Sequence, residues 1–344
     1  MNYSQEIPMP TQINDDRSAL SHYLKPLAQF MDDDKVTEIC VQHEGRVFVE
    51  NHERWTEYRQ EEITYSWCRH LAQLIATSTN QRVNAQSPLL SAGLPNGNRI
   101  QIVLPPATLA NRVALTIRKP NRTLLSLNEL DSRGFFSTIR VQEASTPLME
   151  LTNAYNSQQW LEFLKLAVLA RLNIVVAGAT GSGKTTLTKA LIAEIPQAER
   201  IVSIEDTPEL ELANHPNSVQ LLYSKDGQGT AKITPKQLLE ASLRLRPDRI
   251  MLAELRGEEA YYYCRNISSG HAGSITSVHA GSPATAFIQL GFLIKESAPG
   301  RDMASRDIQR MLRAAIDLVV VCQRAHGRRS IRCLWWKGQA KSAR

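Results

Sequence analysis

"NIVVAGATGSGKTTLTKAL", Asn173 to Leu191, decides how the rest of the chain is read. Its apolar start has the length of a buried strand, a glycine-rich run follows, and an amphipathic helix opens at Lys184. Gly178, Gly183, Lys184 and Thr185 satisfy G-x-x-x-x-G-K-[ST] between strand and helix, the context that a phosphate-binding loop requires. The glycines let successive backbone N–H groups turn inward around phosphate oxygens, and the new helix adds its positive N-terminal end. Gly178, Ala179, Thr180, Gly181, Ser182, Gly183, Lys184, Thr185 and Thr186 are therefore the expected nucleotide cradle. Lys184 is expected to reach the β- and γ-phosphates of ATP, and Thr185 to ligate Mg²⁺.

Outward from the loop, apolar runs alternate with helical patterns. "RIVSIED", "RIMLAEL", "SITSVHA" and "DLVVVCQ" are apolar on both faces, as parallel strands covered by helices must be. Between them lie "KTTLTKALIAEI", "TPKQLLEASLRL" and "SPATAFIQLGFLI". The last two open Thr-Pro and Ser-Pro, a cap followed by proline at the first helical position. Residues 157–344 thus read as an α/β domain closed by an edge strand and a loose basic tail, "GRRSIRCLWWKGQAKSAR".

Residues 1–120 follow a different pattern. "TEICVQHEGRVFVEN" predicts a hairpin around "HEGR", and "YSWCRHLAQLIATST" puts Trp67, Leu71, Leu74 and Ile75 on one helical face. "NRIQIVLPP" and "RVALTIRKP" alternate as strands, giving a β–β–α–β–β order and a smaller α+β domain. Residues 121–156 are polar and broken, and are expected to link the two domains with a short helix or two.

An NTPase also needs carboxylates near the metal and near the attacking water. Glu205 and Glu254 each end a buried strand, and such positions in parallel sheets lie beside the phosphate loop. Glu254 is expected as a metal-side acid, and Glu205 to orient or deprotonate water; alternatively, either caps the helix that follows it. In "SSGHAGSITSVHAGSP", His279 ends a strand next to the loop strand and is expected to sense the γ-phosphate. His271 either braces the turn beside the nucleotide or is an ordinary satisfied turn histidine. Zinc binding by the two histidines would want further ligands at short spacing, and the stretch offers only Ser and Thr.

Composition narrows the class further. The 344 residues, 42% hydrophobic and 22% charged, suffice for two cored domains. A net charge of +6 comes from 40 basic against 34 acidic residues along the chain, without the dense stripe of a nucleic-acid binder. The five scattered cysteines form no CxxC pair, which disfavours a disulfide framework or zinc ribbon and fits a reducing compartment. The opening residues lack the pattern of a secretory leader, and no apolar window is long enough to span a bilayer, so a soluble or at most peripheral protein is expected.

"GATGSGKTT", "SIEDTPEL", "LRLRPDRIMLAELRGEEA" and "SGHAGSITSVHAGSP" resemble, in order and spacing, the Walker A, Asp, Walker B and His boxes of the secretion-superfamily ATPases. Their traffic ATPases of bacterial type IV secretion systems are the most similar branch. "NGNRIQIVLPP" and "VALTIRKP" resemble the end of that family's N-terminal domain. The resemblance implies a RecA-like ATPase domain behind a smaller α+β domain, ATP and Mg²⁺ as cofactors, and a homo-hexameric ring. It implies a place on the cytoplasmic face of the inner membrane, partnered by type IV secretion components, powering pilus assembly and transfer of a protein or nucleoprotein substrate. Carried over by position, Lys184 and Thr185 are Walker A, Glu205 the Asp-box acid, Glu254 Walker B, and His279 with His271 the His box. Arg99 and Arg118 match N-terminal-domain arginines that approach the γ-phosphate. The zinc module of type II secretion relatives has no counterpart here, which disfavours that branch.

Two other functions fit a phosphate loop: a nucleic-acid-translocating motor, to which the basic balance gives slight support, and a small-molecule kinase, which would need a lid. Trp335 and Trp336 beside basic residues either dock on an anionic membrane surface or end an ordinary solvated strand.

Overall fold

A computed structural model describes residues 19–51, 54–120, 126–137, 146–224 and 229–339. The chain divides into two compact units, Met1–Pro120 with Gly227–Lys232, and Asn121–Asp226 with Ile233–Arg344.

The first unit is built on an antiparallel sheet of β1 (Val36–His43), β2 (Arg46–Asn51), β3 (Arg54–Arg59), β4 (Leu89–Gly93), β5 (Arg99–Val103) and β6 (Ala114–Arg118), in the order β3-β2-β1-β6-β5-β4. The expected hairpin is β1–β2, with His43 opposite Arg46 and Gly45 at φ +67° in the turn. The Tyr65–Ser78 helix, capped by the Thr64 hydroxyl, buries Leu71 and Ile75 in a core shared with Ile39, Ile102 and Leu115. β3 and β4 extend the sheet beyond the two strand pairs read from the sequence. β3 is mostly exposed, so it lacks the apolar alternation by which a strand is recognised.

The second unit carries β7 (Ile174–Gly178), β8 (Ile201–Glu205), β9 (Ser218–Leu222), β10 (Arg249–Leu252), β11 (Ile275–Val278), β12 (Leu318–Ala325) and β13 (Arg328–Trp336). β10-β8-β9 and β11-β7-β12 are parallel ladders, and β13 runs antiparallel along β12 as the expected edge strand. Between β10 and β11 side chains take over from the ladder. Ser274 Oγ donates to Ile250 O at 2.5 Å, Ser277 Oγ to Ala253 O at 2.8 Å, and Leu255 N to Ser277 O at 2.9 Å. The small hydroxyl residues of "SITS" thereby join the two ladders edge to edge. Both proline-led helices begin as read, with Thr234 and Ser282 each closing a capping box.

Within the stretch expected as a linker, the Thr146–Asn156 helix contributes Leu151 and Ala154 to the second unit's core, against Phe163 and Val168. Residues 121–125 and 138–145 of that stretch, and 340–344 of the basic tail, lie outside the described residues.

At the amino ends of the parallel strands, Arg249 is fully buried and pairs with Glu199 through Nε at 2.8 Å and a terminal nitrogen at 2.9 Å. Arg171 reaches the same carboxylate at 2.6 Å. These pairs fix the end of the sheet remote from the phosphate loop; removing one partner would leave a buried charge uncompensated.

Candidate active site

At the carboxyl end of β7 the chain turns through the glycine-rich loop into the Lys184–Ala193 helix. A side chain at Gly178 would strike the Ser182 hydroxyl and come within 2.8 Å of Cys322 O. Gly183 holds φ +100°, a conformation that side-chain-bearing residues rarely adopt, and caps the helix without any side-chain hydrogen bond. The first helical N–H groups are thus left for an anion.

Lys184 folds back on the loop, donating to Gly178 O at 3.0 Å and Ala179 O at 3.3 Å, with its Nζ 3.4 Å from His279 Nδ1. Burial holds its pKa below the ordinary lysine value, while Glu254 acts in the opposite direction. Phosphate oxygens would supply the countercharge that carbonyls only partly replace.

Across the loop from Lys184, the ends of β8, β10 and β11 converge on a cleft of about 280 Å³, near the lower end of ligand-site volumes. Thr180, Gly181, Lys184 and Thr185 line one side; Asp206, Glu209, Glu254, Arg256 and His279 line the other. Glu254 Oε1 lies 2.8 Å from His279 Nε2, and its Oε2 accepts from Arg256 Nε at 2.5 Å. The same guanidinium donates to Asp206 Oδ2 at 2.5 Å. Partial burial works against the Arg256 charge, but Glu254 and Asp206 outweigh it and raise its pKa.

Lys184, Thr185, Glu254 and His279 therefore meet in one cleft. Glu205 does not face it. Its side chain is buried, Oε2 accepting from the backbone N–H groups of Glu209 and Leu210, both at 2.8 Å. Its Oε1 accepts from Ser203 Oγ at 2.6 Å and Gln220 Nε2 at 3.1 Å. The carboxylate read as a water-orienting group is committed to folding the turn after β8, and that turn presents Asp206 and Glu209 to the cleft instead.

His271 also departs from its expected place beside the nucleotide. It precedes β11, whereas His279 follows it, so the strand separates them along its length. Its electrostatic neighbours are Arg246 and Arg171, at the sheet end remote from the loop. Arg99 and Arg118 belong to the other compact unit, where they stand opposite each other on β5 and β6, and Arg118 Nε lies 3.5 Å from Glu38 Oε1.

Arg256 was not singled out in the sequence. A usable signal was there: two strand-end acids converging on one loop require a countercharge, and Arg256 follows Glu254 by two residues.

Whether the cleft suits a nucleotide with its divalent cation is tested by its polar atoms. Ser182 Oγ and Thr188 Oγ1 are buried without a hydrogen-bond partner among the described residues, and Thr188 lines the cleft. Unpaired donors beside an uncapped helix start, with a hydroxyl (Thr185) and a carboxylate (Glu254) opposite, match the chemistry of a metal-bound polyphosphate.

A family model described as "Type II/IV secretion system protein" matches residues 21–333. Type IV secretion system protein VirB11 of Bartonella quintana is 44% identical over 319 residues, covering 89% of this chain and 89% of that protein. Protein VirB11 of Agrobacterium fabrum is 38% identical over 311 residues, covering 88% of this chain and 89% of its own. Among solved structures, the VirB11 ATPase from the Brucella suis type IV secretion system, in complex with sulphate, superposes with a TM-score of 0.88 at 39% identity. That match covers 94% of this chain and 99% of the other.

Proposed function

We propose, for a chain that belongs to the type II/IV secretion system protein family, the work of an ATP-driven motor assembled as a homo-hexamer. Membership itself makes the chain a type IV secretion ATPase with a nucleotide-binding RecA-like domain. The ring, its place on the cytoplasmic face of the inner membrane beside other secretion components, and its use in pilus assembly and in transferring a protein or nucleoprotein are our reading. No helix among the described residues is long and apolar enough to cross a membrane, so attachment to that face would be peripheral. The observation that carries the reading is the convergence of Lys184, Glu254 and His279 on one cleft at the carboxyl edge of the sheet.

In this mechanism the loop N–H groups and Lys184 bind the β- and γ-phosphates, Lys184 exchanging its carbonyl partners for phosphate oxygens. Thr185 and Glu254 would hold Mg²⁺, which when bound neutralises developing phosphate charge. Glu254, released from His279, is placed to accept a proton from the attacking water. His279 turns to the γ-phosphate, and its position reports whether that phosphate is there. Glu205 acts through the turn it holds, positioning Asp206 and Glu209. Arg99 and Arg118 of the N-terminal domain are assigned to the γ-phosphate, so that hydrolysis releases that domain.

The test is a Lys184→Ala chain compared with wild type for ATP hydrolysis, for mass by analytical ultracentrifugation with and without nucleotide, and for complementation of a secretion-deficient strain. The reading expects a six-fold assembly in the wild type, with hydrolysis and complementation both lost in the variant. A monomer under all conditions would remove the ring, and wild-type hydrolysis by the variant would remove the phosphate-loop assignment.

A further inference from the structure

The β12–β13 hairpin flanks the phosphate loop, with Cys322 of β12 in register with Gly178 of β7. Beyond that register the two strands run on to a tight tip, where His326 and Gly327 both hold positive φ. The tip is strongly cationic. Arg324, Arg328, Arg329 and Arg332 fall in a stretch, residues 324–332, that contains no Asp or Glu.

Arg329 stands apart within this group. A Cβ built on Gly183 would lie 3.2 Å from Arg329 Cδ, 3.6 Å from its Cβ and 3.7 Å from its Cγ. The aliphatic stem therefore runs along the last glycine of the phosphate loop. Its head is different: the residue is exposed, and the guanidinium makes no hydrogen bond or ion pair among the described residues. A packed stem that carries a planar cation beside an anion cradle is suited to a flat, anionic ligand.

The sheet order says which end of the ligand it meets. β11 lies on one side of β7, with β10 and β8 beyond it, and β12 and β13 lie on the other. Asp206, Glu254 and His279 all come from the first side, where the γ-phosphate and its metal belong on the reading above. Arg329 comes from the opposite side. We infer that Arg329 is a nucleotide-binding residue that holds the nucleoside and α-phosphate end of ATP and ADP. Its guanidinium can donate to an α-phosphate oxygen and lie against the face of the base, as planar cations do on π-systems.

This inference rests on the cleft being the nucleotide site, and the experiment separates the two. The full chain and its Arg329→Ala and Arg328→Ala variants are titrated with ADP and with a non-hydrolysable ATP analogue, by calorimetry. Arg329→Ala should weaken both ligands by the same factor of about ten, the scale of one charge-assisted hydrogen bond. Arg328→Ala, which removes the same charge one residue away, should weaken neither by more than about twofold, as exposed charges act weakly at a distance. Unchanged ADP affinity in Arg329→Ala overturns the inference while leaving the cleft intact. A loss confined to the ATP analogue moves Arg329 to the γ-phosphate and overturns it as well, and equal losses in both variants reduce it to a diffuse field. A wild-type chain that binds neither ligand removes the cleft reading first and this inference with it.

Discussion

Glu254 Oε1 stands 2.8 Å from His279 Nε2, joining the ends of β10 and β11 across the mouth of the cleft. The acid that must face the metal and water thus lies against the residue assigned to sense the γ-phosphate, its Oε1 making no hydrogen bond among the described residues. Glu254→Gln, which keeps the shape but not the charge, should cut turnover about a hundredfold or more while nucleotide still binds. His279→Ala should lower turnover more than nucleotide affinity. In the double variant the His279 effect should largely vanish, because contacting groups couple. Rate constants for the four proteins measure this, and fully multiplicative effects would mean that the contact plays no part in turnover.

Arg256 bridges the other oxygen of Glu254 to Asp206, so two carboxylates from neighbouring strand ends share one cation. The guanidinium is partly exposed, and its contribution to stability should stay within about 1 kcal/mol. Its contribution to geometry should be larger. Arg256→Ala should lower kcat about tenfold with little change in nucleotide Kd, and Arg256→Lys, which keeps the charge but loses the fork, should fall between. A kcat equal to wild type in Arg256→Ala would leave the bridge as surface decoration.

Glu205 invites the opposite expectation. Its oxygens accept four hydrogen bonds, two of them from the N–H groups of Glu209 and Leu210. Glu205→Gln would set an amide donor against groups that already donate, at a cost of about 1–3 kcal/mol. Denaturant titration should show that loss, with turnover falling only as far as the displaced Asp206 turn requires. A variant of wild-type stability with turnover down about a hundredfold would return Glu205 to the water-activating role read from the sequence.

The contrast between Glu205 and Glu254 shows what the residues disclose on their own. Strand, loop and helix at Asn173–Leu191 are local, and β7, β8, β10, β11 and β12 were legible because strands buried on both faces exclude charge over most of their length, although Ser203, Thr276 and Ser277 interrupt the apolar runs of β8 and β11. β9 was not: Ser218–Leu222 alternates over only five residues, too few to separate from loop. The direction in which a strand-end carboxylate points depends on the turn after it, and "SIEDTPEL" reads the same whichever acid faces the cleft. Arg329 had no local signal at all, since its neighbour Gly183 lies far away in sequence.

His271 gives a pH dependence whose sign can be worked out. Burial first, then the positive charges of Arg246 and Arg171, lower its pKa from the ordinary 6.5. Above 6.5 the histidine is neutral in both folded and unfolded chains, and its contribution is constant. As pH falls below 6.5 the unfolded chain takes up the proton first, so stability is lost until the folded pKa is passed. Urea titrations between about pH 5 and pH 8 should show a shallower acid-side decline in His271→Gln than in wild type. Parallel curves would mean that His271 titrates alike in both states.

The arginines of the N-terminal domain carry the prediction that concerns motion. Arg99 and Arg118 face each other directly on β5 and β6, and like charges in cross-strand register are mutually unfavourable. Glu38 Oε1 lies 3.5 Å from Arg118 Nε, and the Arg118 side chain remains 70% exposed. Two adjacent guanidinia would gain from a polyanion, and the γ-phosphoryl of ATP is the one this enzyme supplies. ATP should therefore draw the N-terminal domain onto the catalytic domain, and hydrolysis should release it, turning phosphate chemistry into rigid-body displacement. Arg99→Ala and Arg118→Ala should each slow turnover. Amide hydrogen exchange over residues 95–120 should slow when a non-hydrolysable ATP analogue binds the wild type, and should stay unchanged in the two variants. Equal exchange with and without the analogue, together with normal turnover in both variants, would leave the two arginines as strand-end surface charges and the motor's stroke to other residues.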